Sequence, residues 1–254
     1  LSTLVSACAG PAQSVSDMAR LVWQSDADAV VRTARLDPRF AYLRVQGPQG
    51  PAALLVLGYE DRDASGVVQT WYSASQETLQ LAQGRLHMTH GLAVNRLHTA
   101  WPQGLPAWPS PGARPARASG EPAAHEQIID LGDPGPRGLK LSARVHEVPA
   151  SEVPGSVFGR LRNTSAAPAS AQEKEPALRW FKEEAHLQGT AIPNQGTALP
   201  QWTAGLPARS AGPYFTQWFA VRGTELVFSH QCVRPDFCLS LQPWPVPAQA
   251  QAKR

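Results

Sequence analysis

Three cysteines carry the most specific chemistry in this 254-residue chain. Cys8 closes the run Val5-Ser6-Ala7-Cys8, an aliphatic residue, two small residues and a thiol. That is the pattern of a bacterial lipoprotein cleavage box. Small side chains let a peptidase reach the backbone before the cysteine, and the freed thiol takes a diacylglycerol thioether. Each acyl methylene buried in a bilayer then contributes ~0.8 kcal/mol to anchoring. The competing reading of Cys8 is an ordinary buried thiol near a ragged terminus. Cys232 and Cys238 are separated only by VRPDF. In an oxidising compartment a disulfide closing this short loop is the expectation, and two free core thiols are the alternative. A metal site using His230 with both thiols lacks an evident fourth ligand.

Other reactive types are present without a reactive arrangement. His87 and His90 fall in LHMTH, and three positions along a strand turn them to opposite faces. His146-Glu147 is followed by Val-Pro-Ala, so it is no zinc-binding helix. Asp61 and Asp63 precede Gly66 and read as turn formers. Glu183 and Glu184 read as surface carboxylates. The chain contains no glycine-rich dinucleotide or phosphate loop, no HExxH and no GxSxG. No catalytic residue, cofactor or metal ligand is therefore assigned. Lys and Arg number 23 against 20 Asp and Glu, dispersed along the chain, which excludes a nucleic-acid footprint.

The elements that would position these residues are strands. The 24 prolines and 20 glycines favour turns over long helices. Residues 52 to 92 read as a β-meander: Leu54 to Leu57 ending at Gly58, a polar turn, then Val67 to Tyr72, Thr78 to Leu81 and Arg85 to Thr89. Phe40 to Val45, Ile128 to Leu131, Leu139 to Val145, Tyr214 to Val221, Glu225 to His230 and Cys238 to Gln242 add further strands. Leu178 to Ala185 suits helix or strand, with strand favoured by its neighbours. Two short helices are expected between Ser16 and Ala34. Residues 101 to 124 form a Pro-rich loop in which Trp101 and Trp108 are either stacking platforms or anchors folded back onto the domain. The expected organisation is a residual signal segment (1–7), a lipidated tether (8–15), one β-rich domain (16–247) and a disordered tail (248–254). The fold class is all-β: antiparallel meanders and hairpins closing into a barrel-like or sandwich domain.

Several stretches together carry a resemblance: VSAC, FAYLRVQGPQGPAALLVLGY, WYSASQETLQLAQGRLHMTHGL, YFTQWFAVRGTELVFSHQCVRP and the closing LQPWP. Over roughly residues 1 to 247 the chain resembles the GfcB/YjbF family of bacterial lipoproteins, encoded with capsule and exopolysaccharide export genes in Gram-negative bacteria. It departs from the family at Trp218-Phe219-Ala220-Val221, which lacks an expected Asp. The resemblance implies a periplasmic accessory protein that assists polysaccharide assembly or export by binding a protein or glycan. With Ala9 rather than Asp after Cys8, similarity to known lipoproteins implies attachment to outer-membrane lipid. Trp71, Tyr72, Arg85, Ser229 and Gln231 match the family pattern and are the candidates for partner binding, against structural roles for the same residues. Trp71 and Tyr72 are adjacent on a strand, so one ring should be buried and the other available. The alternatives are a carbohydrate-active hydrolase or lyase, and a structural envelope protein pairing through a sheet edge.

Overall fold

The computed structural model describes residues 31, 36–49, 51–108, 123–133, 135–161, 177–188 and 213–244. Cys8 with its cleavage box, the tether, the expected helices (apart from residue 31), the greater part of the Pro-rich loop and the tail lie outside the described residues.

Alternating apolar residues turn residues 42–244 into twelve strands of one antiparallel sheet. They are β1 (Tyr42–Gln46), β2 (Ala52–Asp63), β3 (Gly66–Tyr72), β4 (Thr78–Ala82), β5 (Arg85–His90), β6 (Arg96–Ala100), β7 (Ala123–Leu131), β8 (Leu139–Val148), β9 (Leu178–Leu187), β10 (Phe215–Arg222), β11 (Glu225–Arg234) and β12 (Phe237–Trp244). The sheet runs β5-β4-β3-β2-β1-β12-β11-β10-β9-β8-β7-β6, so consecutive strands pair everywhere except β5 with β6, and the last strand returns to the first. The register Tyr42↔Trp244 through Gln46↔Ser240 zips these two together. The result is a nearly closed all-β barrel with its seam in mid-chain, between β5 and β6.

Side chains close that seam. The Arg96 backbone N–H donates to Thr89 Oγ1 at 2.8 Å, and Arg96 Nη1 and Thr99 Oγ1 donate to the Leu86 carbonyl at 3.4 and 3.3 Å. Gln231 Oε1 accepts the Leu86 N–H at 2.7 Å. Edge groups of β5 thus find partners without a backbone ladder, which removes a template for unwanted pairing.

One apolar cluster fills the lumen, from Leu43 and Leu55 through Trp71, Leu81 and Leu86 to Leu141 and Leu241. A second cluster joins Trp180, Trp218 and Phe228 to Val153 and Val157. The latter pair sits by the 3₁₀ turn Ala150–Glu152 and the short helix α1 (Gly155–Phe158), which pack over the sheet. This is why β10 is buried on both faces, Phe215 and Phe219 on one, Trp218 and Ala220 on the other.

Several boundaries differ from the sequence expectation. β2 does not end at Gly58 but continues to Asp63, with a register shift between Leu57 and Tyr59. A bulge there coils the hairpin without ending it. Asp61 and Asp63 are consequently strand residues, although Asp63 Oδ1 accepts the Ser65 N–H at 2.7 Å and shapes the turn. Pro243 lies inside β12, opposite Leu43. β6 is a strand the sequence reading did not separate from the loop. Leu178–Leu187 is a strand, as its neighbours suggested. The Cys232–Cys238 disulfide is present and staples β11 to β12, where the two residues are register partners. No helix among the described residues is long and apolar enough to cross a membrane.

Candidate site at the barrel mouth

Leu43, Trp71, Leu81 and Leu241 come from the strands that line the lumen. The same four residues also line a cavity of about 670 Å³. Its polar lining comes from Gln69 on β3, Gln83 in the β4–β5 turn, Thr224 and Glu225 at the β10–β11 turn, and Ser229 on β11. The volume falls within the ~300–1,000 Å³ range of small-ligand sites, with apolar walls and a few placed polar groups.

The cavity depends on a close approach of two turns. Gly84 has φ +79°, and a Cβ there would collide with the side chain of Leu226. Gln231 locks the same turn: its Nε2 donates to the Gly84 carbonyl at 2.8 Å and to Ser229 Oγ at 2.8 Å. Ser229 is 1% exposed yet lines the cavity. It accepts from Gln231, which leaves its own hydroxyl proton to donate.

The segment after β6 folds back as a strap. Trp101 is buried against Val68 and Ala82 with Leu105 alongside. Trp108 reaches the lumen aromatics, with its ring centre 4.7 Å from that of Phe219 and 5.8 Å from that of Phe181. Its Nε1 donates to the Gln83 carbonyl at 3.3 Å, and it forms part of the cavity wall. Trp101 is therefore an anchor, and Trp108 is an anchor that also walls the cavity.

Beneath Trp108 lies a buried polar network. The Arg85 guanidinium carbon is 3.8 Å from the centre of the Trp108 ring, and Nη1 donates to the Pro106 carbonyl at 3.0 Å. Arg85 Nε donates to Glu183 Oε2 at 3.4 Å. Glu183 Oε1 accepts from Gln127 Nε2 at 2.9 Å and from Gln217 Nε2 at 2.8 Å. His125 Nε2 lies 3.7 Å from the other carboxyl oxygen. Burial pushes Arg85 below its ordinary value, opposed by the Glu183 charge, and it likewise lowers His125. Arg96, also in the interior, is lowered by burial to about 10. Glu183 is thus fully buried, which corrects its reading as a surface carboxylate. It shares its strand face with Phe181 and Ala185 and meets the amides of β7 and β10.

The five family-pattern residues separate cleanly. Trp71 and Ser229 line the cavity, while Gln231 and Arg85 are buried beside its turn and its tryptophan. Trp71 is 5% exposed and Tyr72 is 41% exposed. Tyr72 lies over Gly58 and beside Tyr59, whose hydrogen bond raises the Tyr72 phenol. Arg85 and Gln231 are therefore inaccessible to a partner and hold the site from within. Gln69, Gln83, Glu225, Gln127 and Gln217 were not singled out from sequence, and Glu183 was read there as a surface carboxylate. A polar side chain alternating with Phe and Val on β10 was the available signal for Gln217. Among the described residues, no group of three or more His, Cys, Asp or Glu could hold a metal ion.

No family model and no curated protein matches the chain. Among solved structures, the hypothetical lipoprotein YmcC from Escherichia coli (K12) is similar at 14% identity and a TM-score of 0.50. The match covers 91% of this chain and 94% of that one. At this identity the likeness concerns the fold.

Proposed function

We propose that this protein is a non-enzymatic accessory lipoprotein of the Gram-negative envelope that binds a segment of exported capsular or exopolysaccharide at the barrel mouth. It is tethered through Cys8 to lipid at the periplasmic face of the outer membrane. The observation that carries this reading is the cavity itself: a preformed space walled by two indoles and several aliphatic side chains, with amides and hydroxyls at fixed positions. A pyranose ring presents the matching chemistry, an apolar C–H face and a girdle of hydroxyls. The cleavage box at Cys8 supports the anchor. The Cys232–Cys238 disulfide supports an oxidising compartment. The fold shared with a protein described as a hypothetical lipoprotein is in keeping with both.

A binding role is favoured over hydrolysis because, among the described residues, Glu225 is the single carboxyl that lines the cavity, where glycoside cleavage ordinarily uses two. Glu183 is engaged by Arg85, Gln127 and Gln217. Sheet-edge pairing is disfavoured at the seam, where side chains occupy edge groups of β5.

The test is genetic complementation in the native host, with surface polysaccharide as the readout. The wild-type gene restores the polymer to a deletion strain. Cys8→Ser, which cannot be lipidated, and Gln69→Trp, which fills the cavity, do not restore it while remaining folded and exported. Full restoration by Gln69→Trp would contradict the reading.

A further inference from the structure

We propose that Tyr59 and Tyr72 form a second saccharide-binding subsite, on the outer face of the β2–β3 hairpin, that holds a further stretch of the polymer seated in the barrel-mouth cavity. This rests on the reading above that the cavity binds polymer, and it adds a contact that only a longer chain reaches.

The pair is built by the local backbone. The β2–β3 register moves from Leu57↔Trp71 to Tyr59↔Thr70, with Gly58 as the extra residue. Uninterrupted pairing would set Tyr59 opposite Gln69, which lines the cavity. The bulge sets it opposite Thr70 instead, on the face that Tyr72 shares. Gly58 then makes room, because a Cβ there would collide with the Tyr72 ring. The two ring centres are 6.4 Å apart and the planes are tilted by 45°. Tyr59 is 47% exposed and Tyr72 is 41% exposed, so both rings offer surface to a ligand.

The occupant follows from chemistry and from continuity with the cavity. An aromatic ring takes the apolar C–H face of a pyranose, and its phenol bonds a hydroxyl. Asp61, the next outward residue of β2, is exposed, and Thr78, the register partner of Tyr72, is half-buried. Both add groups that can bond sugar hydroxyls. The same hairpin is a wall of the cavity, lined from the inner side by Val67, Gln69 and Trp71. Gln83 Nε2 donates to the Ser65 carbonyl at 3.3 Å, which ties the hairpin tip to the turn at the mouth. From Gly66 at the tip to Tyr72, β3 runs 7 residues, about 20 Å. A polymer leaving the mouth over this tip spans several sugar units before it meets the tyrosines. Two contacts on one chain then reinforce each other through effective concentration.

The experiment is calorimetric titration of the folded protein with tetramers and dodecamers cut from the purified surface polysaccharide of the native host. Tyr59→Ala combined with Tyr72→Ala changes two exposed side chains. It should weaken the dodecamer about tenfold or more and leave the tetramer unchanged, which also reports that the cavity is intact. A double variant that binds the dodecamer as the wild type does would overturn the outer subsite and leave the cavity reading standing. An equal loss for both lengths would also overturn it, because the tyrosines would then act on the cavity. So would a wild-type dimer in sedimentation that the double variant dissociates, since a second copy would then cover the pair. Failure of every fragment to bind the wild type would overturn both readings.

Discussion

The Arg85 guanidinium carbon sits 3.8 Å from the centre of the Trp108 ring, and this contact joins the strap to the barrel interior. A cation stacked on an indole and shielded from water contributes up to about 2 kcal/mol. Trp108 also covers Phe219 and forms part of the cavity wall. Trp108→Ala should therefore lower stability by about 2–3 kcal/mol, below the full cost of a core tryptophan because the ring is half-buried. Urea denaturation checks the stability, and the same variant should lose ligand affinity. An unchanged denaturation midpoint would mean the strap is not docked.

Glu183 and Arg85 form a buried pair with side-chain exposures of 0% and 3%. Removing one partner leaves the other uncompensated. Glu183→Ala should cost about 3–5 kcal/mol. Replacing both residues by methionine should recover part of the loss, because no charge is then left buried and unpaired, while Gln127 and Gln217 still lack their acceptor. Thermal denaturation of the single and double variants decides this. If the double variant is no better than Glu183→Ala, the pair is not the dominant interaction at Glu183.

His230 is pushed down from its ordinary 6.5 to about 4, first by burial and then by the Arg160 charge. Its Nδ1 shares a hydrogen bond with Ser240 Oγ at 2.9 Å. The folded protein resists the proton that the unfolded chain accepts, so the unfolded state binds more protons between pH 6.5 and 4. The neutral-histidine contribution is complete above pH 6.5 and is lost as pH falls towards 4. The loss is on the order of 2–3 kcal/mol after allowance for partial exposure. His87 and His125 are also lowered, mainly by burial, and add in the same direction. Chemical denaturation at a series of pH values should show this slope, and His230→Gln should flatten it in part.

The Cys232–Cys238 staple closes a short loop, so its loss should cost about 2 kcal/mol. Cys232→Ser with Cys238→Ser should fold, with a lower melting temperature and the same near-ultraviolet spectrum. Alkylation of the unreduced, unfolded wild type should leave both of these residues unmodified. Labelling of either one would show that the bridge does not form in the native protein.

Much of the barrel was legible because its strands announce themselves. Leu139, Leu141, Ala143 and Val145 alternate with Lys140, Ser142 and Arg144, and that face is buried in the lumen. The Trp71–Tyr72 neighbour rule placed one ring inside and one outside, as found. The extent of β2 was hidden because a bulge at Gly58 resembles a strand end in sequence. The candidate site was legible only in part. Ser229 and Trp71 were flagged, but the cavity arises where the β4–β5 and β10–β11 turns meet, about 140 positions apart in the chain. Glu183 was misplaced because two adjacent glutamates look alike until the partners of each are known. Arg85, Gln127 and Gln217 come from three distant strands to meet only one of them.

Hydrogen–deuterium exchange of the lipidated protein, with and without the purified surface polysaccharide of its own host, tests the central claim most directly. Ligand in the barrel mouth should slow exchange at the amides of residues 83 to 86 and 224 to 229, and leave the β11–β12 turn around Arg234 and Asp236, at the other end of β11, unchanged. Protection confined to that turn, or none anywhere, would contradict a polymer-binding cavity at the barrel mouth.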